Sequence, residues 1–249
     1  MKITIIGGCG VIGRILTKAL FSEYEITIID QTGCVKGVIL ADATNEQELC
    51  EAIPQDTDVI IHLLNMEMTH DVMNREEFEK MSDIFWRSSY SMFRSAARLG
   101  IRKVIFASSN HVTDRYEKNG RSLLGRHVKT NDVPATKNVY GILKFASEQL
   151  GRLFHDQTGM SVINLRIGTV VTDEMEALHE KERTKRTLLS HEDLVGIIKA
   201  AIETDVAFGT YYAVSENEEK PWSTENTKQE LGYKPHKNTT EILEENDQA

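Results

Sequence analysis

The sequence predicts a doubly wound α/β fold, in which helices cover both faces of a parallel sheet. Short apolar runs alternate with longer segments of helical periodicity, a pattern typical of βαβ units. A glycine-rich turn joins the first apolar run to the first helical segment, as expected where a strand leads directly into a helix. Right-handed crossovers between successive strands would then build one parallel sheet.

The elements can be assigned in chain order from this periodicity. Buried strands are predicted at residues 3–6, 26–29, 38–40, 59–64, 104–107 and 162–165, with another near residues 210–214. Helices are predicted at residues 11–22, 46–53, 75–99 and 139–158, with a short one around residues 225–231. A further helix is expected to begin at Ser190, because Ser190 and Asp193 form a capping-box pattern.

Two segments between these elements lack clear periodicity. Residues 110–138 are polar and irregular, whereas residues 173–187 are rich in charge, which is typical of a solvated helix face or a mobile loop. Irregular segments of this length are often functional lids. We expect a single domain, with a cofactor-binding core at residues 1–168 and mainly substrate-binding and C-terminal elements at residues 169–249.

The composition argues against several classes of partner and location. A net charge of −9 and a pI near 5.4 would repel phosphate backbones and anionic membranes, so neither is an expected partner. The apolar runs are too short to span a membrane, and the first begins at Ile3, leaving no room for a signal peptide. Cys9, Cys34 and Cys50 show neither CxxC spacing nor a nearby histidine cluster, so no disulfide framework or zinc site is expected. A soluble protein of the reducing cytoplasm fits these observations best.

The turn after the first strand has the features of a dinucleotide-binding site. Gly7, Gly10 and Gly13 form a GxxGxxG pattern that leads into a helix, where backbone N–H groups and the helix dipole can bind a pyrophosphate. The second strand ends in Asp30, whose carboxylate can accept hydrogen bonds from both ribose hydroxyls of NAD and would repel a 2′-phosphate. A glycine pattern alone would equally suit a structural turn, but strand, glycines, helix and acid occur here together. The sequence therefore predicts NAD as the cofactor.

Other candidate residues follow the third and fourth strands. Asp42 and Ala43 could reach the adenine, although Asp42 would also suit a turn or a helix N-cap. His62, near the end of the fourth strand, is more typical of a packed core histidine than of a catalytic one.

A catalytic group is predicted at the fifth strand and the helix that follows it. Tyr140 and Lys144 are four residues apart at the start of a helix, so both project from the same face. A nearby ammonium favours the phenolate form of a tyrosine, whose usual pKa of about 10 makes it a poor base at neutral pH. Ser109 lies at the end of the fifth strand, where its hydroxyl could hydrogen-bond a reacting oxygen.

These motifs occur in an order that resembles the extended short-chain dehydrogenase/reductases, also described as NAD-dependent epimerase/dehydratases. The resemblance covers nearly the whole chain and implies a Rossmann fold with a seven-stranded parallel sheet, a small C-terminal substrate-binding part and NAD. It implies a catalytic group of Ser109, Tyr140 and Lys144. The residues expected to bind the cofactor are Gly7, Gly10, Val11, Ile12, Gly13, Asp30, Asp42, Ala43, Leu63, Tyr140, Lys144 and Ile167.

A narrower resemblance, to uronate dehydrogenases, rests on four short stretches, which are residues 107–111, 165–168, 189–194 and 231–235. It implies oxidation of a hexuronate at its anomeric carbon, with Ser109, Asn110 and His111 touching the sugar. Arg183 stands seven residues before Ser190, the spacing at which this family places the arginine that binds the substrate carboxylate. Simple surface charge would explain Arg183 equally well.

The chain departs from the uronate dehydrogenases at several positions. Leu64 and Glu67 stand where small residues are usual, Trp86 replaces a helical asparagine, Asp114 replaces a glycine, and residues 120–126 look inserted. These differences leave the catalytic group intact and concern the substrate.

Three functions are therefore considered. The first is an NAD-dependent dehydrogenase acting on a sugar or sugar acid. The second is an epimerase or dehydratase acting on a nucleotide sugar, in which NAD is regenerated. The third is a sensor that binds NAD without turnover. The family often forms homodimers through the helix that carries Tyr140, so a homodimer is possible.

Overall fold

The computed structural model describes residues 1–247. Its strands are β1 (Lys2–Ile6), β2 (Glu25–Asp30), β3 (Ile39–Leu40), β4 (Val59–His62), β5 (Lys103–Ser109), β6 (Glu117–Lys118), β7 (Arg121–Ser122), β8 (Ser161–Ile167) and β9 (Phe208–Ala213). Its α-helices are α1 (Val11–Leu20), α2 (Glu46–Ala52), α3 (Arg75–Met81), α4 (Ser88–Leu99), α5 (Val139–Thr158), α6 (Glu174–Glu180), α7 (Thr184–Thr187), α8 (His191–Glu203), α9 (Glu225–Glu230) and α10 (Thr239–Asp247). A π-helical segment, Ser82–Arg87, joins α3 to α4, and a 3-10 helix, Asn110–Tyr116, follows β5.

Seven strands form one sheet in the order β3-β2-β1-β4-β5-β8-β9, and each neighbouring pair is parallel. The predicted seven-stranded, doubly wound sheet is therefore confirmed. Chain order reverses between β1 and β4, and the carboxyl ends of strands at such a switch point border the crevice in which ligands bind. The fold thus places the end of β1, the glycine turn and the end of β4 around one opening.

Two apolar layers hold the helices against the sheet. On one face, Leu16 of α1 and Ile197 of α8 pack with Ile5 of β1. On the other face, Phe93 of α4 and Leu150 of α5 belong to a second cluster. Because both faces are covered, the strands need apolar residues at successive positions, as in β4, which is buried throughout.

Local capping fixes the two helices that matter most for the site. The Asn138 side chain accepts a hydrogen bond from the Gly141 N–H at 2.9 Å, which caps α5 two residues before Tyr140. The Ser190 hydroxyl accepts the Asp193 N–H at 3.1 Å, so the predicted cap of α8 is confirmed. The ends of α5 agree with the predicted residues 139–158.

The predicted helix at residues 75–99 is interrupted by the π-helical segment. Two hydroxyls bond back to carbonyls one turn earlier, Ser88 to Ile84 and Ser89 to Phe85, and such bonds compete with the regular helix pattern. Single π-turns inside α-helices are frequent at functional sites.

The two irregular segments contain more structure than the sequence predicts. Within residues 110–138, β6 and β7 form an antiparallel hairpin whose central residues, Asn119 and Gly120, have φ of 52° and 80°. Positive φ at both positions suits Asn-Gly, the pair that favours a tight hairpin turn. Within residues 173–187, the charged stretch forms α6 and α7.

The expectation that no disulfide forms is wrong. Cys9 and Cys34 are bonded, although 25 residues separate them in sequence. The glycine turn brings Cys9 beside the loop after β2, where its N–H donates to the Asp30 carboxylate at 2.9 Å. The Cys9–Cys34 disulfide does not by itself test the predicted cytoplasmic location. Between residues 1 and 247, no helix is long and apolar enough to cross a membrane.

Candidate active site

A cavity of about 320 Å³ opens at the switch point, beside the glycine turn. It is lined by Ile6, Gly7, Cys9, Gly10, Ile29, Asp30, Gln31, Thr32, Ala41, Asp42, Ala43, Thr44, Leu63, Leu64, Asn65 and Ile84. Apart from Ile84 of the π-helical segment, these residues come from the carboxyl ends of β1 to β4 and from the loops that follow them, where an α/β sheet of this type binds a dinucleotide.

The glycine turn can hold a pyrophosphate because its glycines carry no side chain, which leaves the backbone accessible to an anion and allows it to pack closely. Gly7 has φ of +81°, and a Cβ there would lie 3.0 Å from the Leu64 side chain. A Cβ at Gly13 would lie 2.4 Å from the Gly8 carbonyl oxygen, so only glycine lets α1 approach the turn. Gly10 is the N-cap of α1, and the N–H groups of the first turn remain available to an anion. These residues fit a dinucleotide.

Asp30 is held in place at the end of β2. Its Oδ2 accepts the Cys9 N–H at 2.9 Å, and its Oδ1 accepts the Thr32 N–H at 3.0 Å and the Thr32 hydroxyl at 3.1 Å. A carboxylate has about four lone-pair positions, so it can still accept from ribose hydroxyls. Asp42 makes the turn contacts considered from the sequence, accepting the Thr44 N–H and hydroxyl at 2.8 Å, and it also lines the cavity.

The cavity is lined by some of the residues that were predicted to bind the cofactor and not by others. It includes six of them, which are Gly7, Gly10, Asp30, Asp42, Ala43 and Leu63. Val11, Ile12 and Gly13 form the first turn of α1, and Tyr140, Lys144 and Ile167 belong to α5 and β8. The sequence reasoning missed Gln31, Thr32, Thr44 and Ile84. The first three lie one or two residues after Asp30 or Asp42, a position that could have marked them.

The predicted catalytic residues are brought together at the end of β5. The Ser109 hydroxyl hydrogen-bonds the phenol of Tyr140. The Lys144 Nζ donates to the Ala107 carbonyl at 2.7 Å and lies 5.7 Å from the centre of the Tyr140 ring. Phe85, from the π-helical segment, packs edge-on against Tyr140 with ring centres 4.8 Å apart.

Burial sets the proton affinities of this group. It lowers the pKa of Lys144 to about 7, an effect that the Glu148 carboxylate opposes. It raises the pKa of Tyr140 to about 12, which the hydrogen bond from Ser109 opposes. His62 is buried in the core, as the sequence favoured, and burial together with the charge on Lys144 lowers its pKa to about 3. His62 is therefore neutral at neutral pH, whereas Lys144 is protonated only in part.

A buried ion pair behind the catalytic group was missed by sequence reasoning. The Arg166 Nε and Nη2 donate to the two carboxylate oxygens of Glu148 at 2.9 and 2.8 Å. Glu148 stands one helical turn after Lys144, so Tyr140, Lys144 and Glu148 share one face of α5. The four-residue spacing from Lys144 to Glu148 is the feature of the sequence that could have identified Glu148. The pair ties the catalytic helix to β8.

His111 packs edge-on against Tyr140, the predicted catalytic tyrosine. Its ring centre is 5.6 Å from that of Tyr140, and its Nδ1 is 3.0 Å from the Asp114 carboxylate. The Asn138 amide also donates to Asp114, at 3.1 Å. Asp114 thus accepts from both side chains and holds the histidine in orientation.

The other two predicted substrate residues, Asn110 and Arg183, contact each other and other protein groups. The Asn110 amide donates to the Ile167 carbonyl at 2.9 Å, and its oxygen accepts from Arg183 at 3.4 Å. Arg183 forms an ion pair with Glu117 of the hairpin at 2.8 Å. Arg183 therefore contacts the residue that follows Ser109, and its charge is already paired.

A model of the NAD dependent epimerase/dehydratase family matches residues 3–191. The chain is 58% identical to the uncharacterized protein YtbQ of Bacillus subtilis (strain 168), over 98% of this chain and 97% of that protein. It is 30% identical to the NAD-dependent glucose-6-phosphate dehydrogenase of Haloferax volcanii, over 92% of this chain and 86% of that protein. It is 27% identical to the L-arabinose 1-dehydrogenase (NAD(P)(+)) of the same organism, over 98% and 99%.

Among solved structures, the fold is similar to that of a mutant uronate dehydrogenase from Agrobacterium tumefaciens complexed with NAD. The TM-score is 0.82 at 20% identity, and the match covers 98% of this chain and 88% of that chain. The resemblance predicted from the motifs, and NAD as the cofactor, are confirmed. The chain belongs to the NAD-dependent epimerase/dehydratase family.

Proposed function

We propose that the protein is an NAD-dependent sugar dehydrogenase that oxidises a free sugar at its anomeric carbon. The observation that carries the proposal is the group formed by Ser109, Tyr140 and Lys144 at the sheet edge that also borders the cofactor cavity. Two relatives that match over most of their length are sugar dehydrogenases by name, which supports a sugar as substrate.

The residues of the chain have distinct tasks in this reaction. Bound NAD supplies the hydride acceptor, and Gly7, Gly10 and Asp30 would hold its pyrophosphate and ribose. The phenol oxygen of Tyr140 takes the proton of the anomeric hydroxyl, while Ser109 holds the sugar oxygen by a hydrogen bond. Tyr140 must be a phenolate to accept this proton, and protonated Lys144, one turn away, would stabilise that phenolate. The Ser109 hydroxyl also opposes the effect of burial on the tyrosine pKa.

Net formation of NADH tests the proposal. Purified protein is incubated with NAD and with neutral aldoses, uronic acids or nucleotide sugars, and NADH absorbance is followed. Accumulation with a free sugar supports the dehydrogenase. Conversion of a nucleotide sugar without net NADH would favour the epimerase or dehydratase, and tight NAD binding without turnover of any sugar would favour the sensor.

We also propose a homodimer formed through α4 and α5. Large apolar side chains are exposed on and beside these helices, including Tyr90, Ile142 and Leu153. Exposed apolar groups of this size often mark an interface. Light scattering of the wild type and of Leu153→Glu tests this, because the charge should shift the mass from dimer to monomer. A wild-type protein of monomer mass would refute it.

A further inference from the structure

The β6–β7 hairpin carries a buried carboxylate. The Glu117 side chain is 6% exposed, and one of its oxygens accepts the Gly120 N–H from the hairpin turn. The Lys137 ammonium holds the backbone by donating to the Glu117 carbonyl at 2.7 Å. The hairpin also fits closely against α7, since a Cβ at Gly120 would lie 2.9 Å from Arg186. Glu117 is therefore fixed by its own hairpin.

The Glu117 carboxylate pairs with the guanidinium of Arg183, in which every N–H donor has an acceptor. The Arg183 Nε and Nη2 donate to Glu117 at 3.1 and 2.8 Å. Nη2 also lies 3.4 Å from the Asn110 oxygen, and Nη1 lies 3.3 and 3.5 Å from the hydroxyls of Thr169 and Thr187. Since an arginine has five N–H donors, these contacts account for each of them.

The pair lies next to the catalytic group. Asn110, which Arg183 contacts, directly follows Ser109, and His111 packs against the ring of Tyr140. The Arg183 side chain is 36% exposed while that of Glu117 is 6% exposed, so the arginine is the solvent-accessible member of the pair and the glutamate is the buried one.

We infer that Glu117 supplies the carboxylate that Arg183 needs, and that the substrate is an uncharged aldose rather than a uronate. A uronate carboxylate could take the bidentate position on the Arg183 Nε and Nη2 only by displacing Glu117, which would leave a buried carboxylate without its partner. A neutral sugar requires no such exchange and meets an ion pair with no net charge. The inference rests on the proposed function and specifies its substrate class.

Matched sugars test the specificity. NADH formation is measured with galactose against galacturonate and with glucose against glucuronate, which differ in the carboxylate. The wild type should prefer the neutral member of each pair. Glu117→Ala frees Arg183, so the kcat/KM ratio of acid to neutral sugar should rise by about tenfold or more. Glu117→Gln, which keeps the side-chain volume, should raise it less.

Glu182→Ala is the matched control. Glu182 also pairs with an arginine of this region, Arg186, but its side chain is 64% exposed. Its removal should leave the ratio at the wild-type value. A wild type that oxidises the uronates at least as well as the neutral sugars overturns the inference, and so does an unchanged ratio in both Glu117 variants.

A second measurement does not depend on turnover. Acetate should raise the melting temperature of Glu117→Ala by replacing the lost carboxylate beside Arg183, whereas acetamide or an equal concentration of chloride should not. An equal response to acetate in the wild type, Glu182→Ala and Glu117→Ala overturns the inference even if sugars are oxidised. Specific rescue by acetate without NADH formation from any sugar would instead refute the proposed function and leave the assignment of Glu117 standing.

Discussion

Replacing Lys144 with methionine is expected to stabilise the protein while abolishing its activity. The side chain is 2% exposed, and its ammonium lies 5.0 and 5.1 Å from the ring centres of Phe85 and Phe106. Burial lowers the pKa of this lysine from 10.5 to about 7, with Glu148 opposing. Methionine fills a similar volume with an adaptable, uncharged chain.

The magnitude follows from the shift and from one lost contact. The fall in the pKa of Lys144 from 10.5 to about 7 means that burying this lysine costs about 4 kcal/mol of folding free energy at pH 7. Methionine leaves the Ala107 carbonyl without the donor that now lies at 2.7 Å, at a cost of about 2 kcal/mol. The variant should therefore be more stable than the wild type by about 2 kcal/mol at pH 7.

The pH dependence distinguishes this cause from better packing. Between pH 7 and 10.5 the lysine is mostly protonated in the unfolded chain and mostly neutral in the folded one. The unfolded state then binds more protons, so wild-type stability rises with pH across this window and is lost as pH falls towards 7. The advantage of the methionine variant should accordingly shrink by about 2 kcal/mol between pH 7 and pH 9.

Urea denaturation of the wild type and of Lys144→Met measures the difference in their free energies of unfolding at pH 7 and at pH 9. NADH formation measures the lost activity. Lys144→Arg is the matched control, because a guanidinium keeps its charge and should destabilise the fold at both values. If Lys144→Met is the less stable protein at pH 7, or if its advantage is the same at both pH values, the argument from burial is wrong.

Four further outcomes are expected. Tyr140→Phe should reduce NADH formation at least about a hundredfold with NAD affinity nearly unchanged in calorimetry; a rate above about a tenth of wild type would exclude the general-base role. Because of Asp30, NAD should bind more than about tenfold more tightly than NADP in the same assay, and equal affinities would mean that Asp30 does not face the ribose. Glu148→Gln leaves the charge of Arg166 buried and should lower the free energy of unfolding by about 3–5 kcal/mol in urea, whereas a loss below about 1 kcal/mol would contradict an effective pair. Cys34→Ser should lower it by about 3 kcal/mol through loss of a crosslink that closes 25 residues, and the difference should disappear when a reductant is added.

What the sequence predicted well depends on neighbours in the chain. Tyr140 and Lys144 share a helix face because they are four residues apart, and the Ser190 cap depends on a residue three positions later. The central strands, such as β4, are apolar because both faces of the sheet are covered there, and burial of this kind is readable from the run itself. Local chemistry and the parallel sheet were therefore within reach of the sequence.

The features that the sequence did not predict join residues that are distant in the chain. Glu117 and Arg183 are 66 positions apart, and Glu148 and Arg166 are 18 apart on different elements. Glu117 does not stand out by its type or spacing, because a charged residue in a polar segment usually lies in solvent, and Glu148 is marked only by its spacing from Lys144. Only the folded hairpin shows that Glu117 is buried and that the charge of Arg183 is paired.

The proposed catalytic residues and the Glu117–Arg183 pair lie on different elements, and this separation bears on substrate specificity. The residues that perform the proposed reaction lie on β5 and α5, whose positions are fixed by the sheet and by the Asn138 cap. The charge that the substrate meets is set instead by a short hairpin and a short helix, which pack on the rim of the site. Replacing Glu117 would change the net charge at Arg183 from zero to plus one without altering any residue of the catalytic group. If the proposed reaction and the role of Glu117 are correct, we expect the partner of this arginine to separate relatives that act on neutral sugars from relatives that act on anionic ones.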